Sequence, residues 1–148
     1  MKTLEVLAGV FSLLTSSEEL IELVGRDSND NPRIYTEVPQ EIVLPYIRFA
    51  IETQVLQLKQ QRVFTYKVRI NSFARRYLDV IKMNYVLSVL FEKNFKSSYN
   101  NQEFLLKPFF ENNFVLDQKQ DMEDGGATYH HALIRVGLHL EDLSLSAI

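Results

Sequence analysis

The residues in this chain that could do chemistry are three histidines, a knot of acids and a run of bases. His130 and His131 are neighbours in a segment predicted as a strand, so their side chains leave on opposite faces and cannot chelate one metal together. His139 shares a face with His131 but stands about 27 Å away at strand rise. A metal would need ligands from elsewhere, and ordinary strand histidines are the plainer reading. His130 falls on the apolar side, where a hydrogen bond to a loop is expected. Asp121, Glu123 and Asp124 crowd one predicted hairpin tip. They lack the spacing of a calcium loop, which favours a solvated or partner-facing tip. Lys67, Arg69, Arg75 and Arg76 could touch phosphate, but a solvated face or an intersubunit ion pair is the better default. The five glycines form no phosphate-binding loop, and Gly125-Gly126 reads as a hairpin turn. No serine sits in a nucleophile elbow. The absence of cysteine excludes disulfides, thiolate zinc sites and thiol catalysis.

The elements that must position these groups follow from periodicity. Leu4, Val6, Leu7, Val10, Phe11, Leu13 and Leu14 recur every three to four residues and predict an amphipathic helix. Ser16 with Glu19 has the capping-box pattern for a second, short helix that ends at Gly25. Residues 26–32 are a polar loop, and Arg33 to Thr36 a short strand. Ile47, Phe49, Ile51 and Val55 alternate against Arg48, Glu52 and Gln54; Phe64, Tyr66, Val68 and Ile70 alternate against Thr65, Lys67, Arg69 and Asn71. The two runs predict a long hairpin whose polar tip, containing Gln57, Lys59 and Gln61, projects from the body. Residues 76 to about 95 predict the longest helix, with an apolar arc wider than one sheet-facing stripe needs. Part of that arc is expected to face a second partner; core packing plus a subunit contact is a plainer reading than a ligand pocket. Residues 97–102 read as a loop. Apolar positions at 104–110 and 114–116 are broken by Pro108 and by Asn112-Asn113, and 118–126 is a second polar tip. Ala132, Ile134, Val136, Leu138 and Leu140 alternate against His131, Leu133, Arg135, Gly137 and His139 in a last strand. The fold class expected is α+β. Its sheet is mostly antiparallel, with one long helix and a short N-terminal helix pair on one face, and with long protruding hairpins. Residues 1–148 are expected to be a single domain.

Composition agrees with a folded chain: 46% of residues are hydrophobic and 11% aromatic. The formal charge is only −3, far from a strongly basic nucleic-acid binder. It is unevenly spread, with −4 over residues 1–60, +6 over 61–96 and −5 over 97–148. Such unlike segments are either solvated faces or faces that meet between subunits. No stretch approaches the ~18 apolar residues of a membrane span. With Glu5 interrupting the first apolar run, a helix rather than a signal peptide is expected, in a protein soluble and cytoplasmic when made.

One set of short motifs goes further. Leu23-Val24-Gly25, a polar loop, Arg33-Ile34-Tyr35, Val38-Pro39-Gln40 and Leu44-Pro45-Tyr46-Ile47 occur in that order. A long hairpin, one long helix and a C-terminal hairpin follow; the last has Asp124, Gly125 and Gly126 at its turn and His130 and His131 soon after. Across essentially the whole chain this resembles the tail-completion family of long-tailed bacteriophages. The resemblance implies a structural virion protein at the head-proximal end of the tail, assembled in the host cytoplasm. It implies a ring, typically of six subunits, that caps the tail tube, stops its polymerisation and meets the head connector. Related rings occur in phage-like gene-transfer and contractile particles. The partners implied are further copies of the chain, the tail tube protein and head-tail connector proteins, with no membrane. DNA would pass through the lumen without specific binding, and the family brings no catalytic residue, metal or cofactor. The side chains expected at subunit or tube contacts are Gln57, Lys59, Gln61, Lys67, Arg69, Arg75, Arg76, Asp121, Glu123 and Asp124. A head-side joining protein is the alternative within the family. The alternative from another class is a small ligand-binding domain or enzyme using His130 or His131.

Overall fold

A computed structural model describes residues 3–37, 43–55, 63–121 and 127–143, with backbone alone at 53–55, 63–64, 110–121, 127 and 142. The order is α1 (Thr3–Thr15), α2 (Glu18–Val24), β1 (Ile34–Tyr35), β2 (Tyr46–Val55), β3 (Val63–Ala74), α3 (Tyr77–Leu90), β4 (Phe95–Tyr99), β5 (Gln102–Asp121) and β6 (Ala127–Asp142). One six-stranded sheet runs in the order β1-β2-β3-β6-β5-β4. Every pairing is antiparallel except that of β1 with β2, which is parallel. The three helices cover one face, so the expected α+β class holds.

The period-2 alternation builds this layer. Tyr66, Val68 and Ile70 of β3 are buried beside Leu138, Val136 and Ile134 of β6, each directly opposite its partner. Ile47 and Phe49 of β2 and Phe104 and Leu106 of β5 extend the same apolar face. Val6, Val10 and Leu14 from α1, Leu20 and Val24 from α2, and Val80, Met83 and Leu87 from α3 close over it in one cluster. Burial of each such side chain contributes roughly 1.5–3 kcal/mol. Gly9 lets α1 lie close on the sheet: a Cβ there would meet Leu106 Cδ1 at 2.5 Å and Ser97 Cβ at 2.9 Å.

Several boundaries differ from the sequence reading, each for a local reason. Ser17, not Ser16, caps α2, accepting from the Leu20 amide at 3.2 Å; Ser16 Oγ instead donates to Leu13 O at 2.8 Å. Gly25 ends α2 as expected, at φ 77°. Leu4 and Phe11, expected on the buried face of α1, are exposed. The long helix stops at Leu90, capped by Phe91, and Phe95 begins β4. Residues 97–102 are not a loop. Asn100 and Asn101 both have positive φ, 51° and 63°, and form a two-residue turn between Tyr99 and Gln102. Asparagine tolerates the left-handed region, so a tight hairpin needs no glycine here. Pro108 and Asn112-Asn113 do not break β5, which absorbs the irregularity in register shifts between Phe110 and Asn112 and between Asn112 and Val115. A further bulge at Glu52 shifts the alternation of β2, so Gln54 falls opposite Tyr66 and Val55 opposite Thr65, out of step with Ile51. The tip expected at 118–126 is shorter, because β5 pairs with β6 out to Asp121 opposite Ala127. That hairpin does protrude: β3 ends at Ala74 opposite His130, leaving three further rungs of β5 and β6 beyond it.

Three substitutions test these local contacts. Gly9→Ala should lower stability by about 1–3 kcal/mol despite alanine's better helix propensity, because Ser97 Cβ cannot retreat. Ser17→Ala should cost about 1 kcal/mol, whereas Ser16→Ala should cost markedly less; urea unfolding midpoints separate them.

Candidate functional site

The face of the sheet away from the helices carries the chemistry the sequence pointed to. Alternation places Arg48 and Ala50 of β2, Lys67, Arg69 and Asn71 of β3, Arg135 and His139 of β6, and Lys107 and Phe109 of β5 on it. Arg69 lies directly opposite Arg135. Like charges at that spacing repel, and the bulged residue of β2 offsets it: Glu52 Oε2 accepts from Arg135 Nε at 3.2 Å. Lys107 Nζ meets Glu141 Oε2 at 3.2 Å. Arg69 is exposed and forms no ion pair among the described residues.

Aromatic rings frame this basic patch at both ends. At one end Tyr46 stacks on Phe73 with centroids 4.6 Å apart, and Phe73 stacks on His131 at 4.6 Å. Tyr35 reaches Tyr46 at 6.2 Å, and Tyr129 reaches Phe73 at 6.4 Å. His131 Nε2 donates to Asn71 Oδ1 at 2.7 Å, which fixes the ring in the ladder. Burial pushes the Tyr46 hydroxyl above its ordinary pKa; Tyr129 adds to the rise and Arg48 opposes it. Burial likewise raises Tyr35, with Asp27 adding and Arg33 opposing. At the other end the Phe109 ring lies over Gly137, where a Cβ would collide with it, and stacks on His139 at 4.5 Å. His139 Nδ1 and Thr65 Oγ1 share a hydrogen bond of 3.0 Å.

The four predicted bases separate. Lys67 and Arg69 lie on the open face, whereas Arg75 and Arg76 sit at the corner into α3, with Arg76 at its N-cap. Asp121 occupies the last rung of β5; Gln57, Lys59, Gln61, Glu123 and Asp124 lie outside the described residues. His130 and His131 leave on opposite faces, as expected. His130 meets the edge of the Tyr77 ring at 5.7 Å rather than a loop. No group of three metal-ligating side chains occurs among the described residues. The aromatic ladder and the Arg135–Glu52 pair were missed in the sequence. Their signal is strand alternation, but only the register shows which residues meet.

The wide arc of α3 is real. Leu78, Tyr85 and Val89 are exposed along it. Beside them runs a groove of about 680 Å³ between α2 and α3, lined by Leu23, Ile81, Lys82, Tyr85 and Val86 with Glu19 and Glu22 on its rim. Among the described residues its lining holds no histidine or serine.

Of the motif residues, Val38-Pro39-Gln40 lie outside the described residues, and those around Gly25, Arg33 and Ile47 are scaffolding. The Arg33 amide donates to Gly25 O at 3.0 Å, Arg33 Nη1 to Val24 O at 3.4 Å, and the Ile47 amide to Arg33 O at 2.9 Å. They tie the end of α2 to the first two strands.

No family model matches the sequence, and no curated protein matches it. Among solved structures, the fold is similar to a chain from the virion of a native gene transfer agent (GTA) particle. The TM-score is 0.58 and the identity 12%, covering 90% of this chain and 92% of that one. At that identity the likeness is one of fold.

The raised Tyr46 gives a pH test. Its neutral form is favoured in the folded state, so its contribution is complete below the unfolded value of 10.0 and is lost as pH rises through the higher folded value. Tyr46→Phe should leave neutral-pH stability nearly unchanged and lessen the alkaline loss, read from urea midpoints at neutral pH and above pH 10.

Proposed function

We propose that this chain is a structural protein of a phage-like particle, and within it a tail terminator. It would form a ring, six subunits by the family resemblance, that caps the tail tube and presents a surface to the head connector. The observation that carries this reading is the fold likeness to a virion chain over nearly the whole of both chains. That extent supports residues 1–148 acting as one domain, as does the single core cluster running from Val6 to Leu140.

The distribution of charge and shape supports a ring. A closed ring of identical subunits uses two different, matching surfaces on each copy. The open face is rich in Arg and Lys, while the α2 rim carries Glu18, Glu19 and Glu22. The outer rungs of β5 and β6 leave the sheet beyond β3 at one end, and β2 and β3 end at the other. Contacts along the ring axis would therefore differ at its two ends, as a part joining tube to connector requires. Asp121, with Glu123 and Asp124, is a candidate for the lumen, where acids would repel phosphate and let DNA slide.

Arg69→Glu combined with Arg76→Glu should abolish ring formation on purified tail tubes, seen by negative-stain microscopy and light scattering. Both side chains are exposed, so the melting temperature should change little. Rings that form normally in this variant would remove the two bases from the assembly surface. Capture of the native protein by capsids but not by tubes would replace the terminator reading with a head-side joining role.

A further inference from the structure

We propose that the sheet continues from one copy to the next: residues 50–55 of β2 in one subunit pair antiparallel with residues 107–112 of β5 in its neighbour. This rests on the ring reading and names the surface that would close it.

Both sheet edges are incompletely covered. On one side β1 pairs only with Ile47 and Arg48, so the rest of β2 has no outer partner among the described residues. On the other side β4 pairs only with Gln102 to Leu106, which leaves β5 from Lys107 onward without an outer partner among the described residues. A strand edge presents unpaired backbone N–H and C=O groups, and the partner that satisfies them is another extended strand.

The two open stretches lie at the same height. Following the register across the sheet, Val55 aligns with Thr65, His139 and Lys107, and Ala50 aligns with Arg69, Arg135 and Asn112. β1 covers the rungs just above this window and β4 those just below it. Direction also fits. Each of the steps β2 to β3, β3 to β6 and β6 to β5 is antiparallel, so β2 and β5 run in opposite senses. Copies rotated about an axis along the strands would therefore bring β5 of one beside β2 of the next as an antiparallel pair, with β5 bending outward at its register shift between Asn112 and Val115 to clear β1, which fills the same lane at Ile47 and Arg48. A single chain carrying two free edges of equal height and opposite direction favours a second copy over a foreign strand.

Both edges also carry deterrents to random pairing: the bulge at Glu52 on β2, and Pro108 and the unpaired Glu111 on β5. These suit an edge meant for one partner of matching shape.

The chain has no cysteine, so engineered thiols report cleanly. The double variant Ala50→Cys with Asn112→Cys, oxidised after assembly on tail tubes, should give a ladder of disulfide-linked oligomers on non-reducing gels. Each single variant should stay monomeric. Hydrogen exchange on the unmodified protein provides the second measurement. Amides in 50–55 and 107–112 should exchange at least about tenfold more slowly in the assembly than in the free subunit. Rings without cross-links and without that protection would overturn the edge pairing and leave the terminator reading standing. Dimers from Asn112→Cys alone would overturn it in favour of a two-fold contact. Protection without cross-links would mean that a tube strand occupies the edge, which overturns the second copy as occupant. A chain that stays monomeric in the presence of tubes would overturn both readings.

Discussion

The ladder between β3 and β6 is the constraint on which the rest of this structure depends. The two strands pair from Val63 opposite Glu141 to Ala74 opposite His130, at the centre of the sheet. Because side chains alternate, that one register decides both faces at once. It sets Tyr66, Val68 and Ile70 beside Leu138, Val136 and Ile134, and so demands a helix layer over them. It sets Arg69 opposite Arg135 on the other side, and so demands a carboxylate nearby. A slip by one residue would carry the charges under α3 and the apolar side chains into water. The outer strands then answer the central pair: β2 supplies Glu52 from its bulge, and β5 lays Phe109 over Gly137.

The helix layer meets its demand unevenly. α1 comes close to β4 and β5 because Gly9 has no side chain, yet it leaves Leu4 and Phe11 exposed. α3 buries Val80, Met83 and Leu87 and turns Leu78, Tyr85 and Val89 outward beside the acids of α2. Apolar surface in a stripe along one helix costs solvation in a lone subunit, and is ordinary in a protein that works as part of an assembly.

The fold was legible in the sequence wherever period-2 alternation ran unbroken. Residues 64–71 and 132–140 show the central ladder directly, and 3.6-residue spacing shows α1 and most of α3. The reading failed where one residue changes the geometry. Asn100 and Asn101 make a turn that glycine usually signals, so β4 was hidden inside an apparent loop. Pro108 and Asn112 suggested breaks, but an edge strand tolerates both through a missing donor or a bulge. The bulge at Glu52 leaves no mark in the sequence and reverses the faces beyond it. The site was legible only as residue types. Lys67 and Arg69 alternate visibly onto one face, but nothing in the chain tells that Arg75 and Arg76 turn a corner away from them. Nor does any local pattern bring Tyr46, Phe73 and His131, which belong to three different strands, into one stack.

The same register changes what the charge pattern means. The central segment sums to +6, but its described bases are spread over the open face, the corner into α3, the groove lining at Lys82, and Lys93 and Lys96 beyond α3. Segment sums therefore do not correspond to faces. The surfaces that differ are the open sheet, basic and framed by aromatic rings, and the helix side, acidic along α2 and apolar along α3. An object built by rotation needs its unlike surfaces at opposite edges of the subunit, and the unequal reach of β1 and β4 provides them in the backbone itself. In the proposed ring, charge on the faces would select orientation and suppress wrong contacts, while backbone pairing at the edges would supply the bond that repeats from copy to copy.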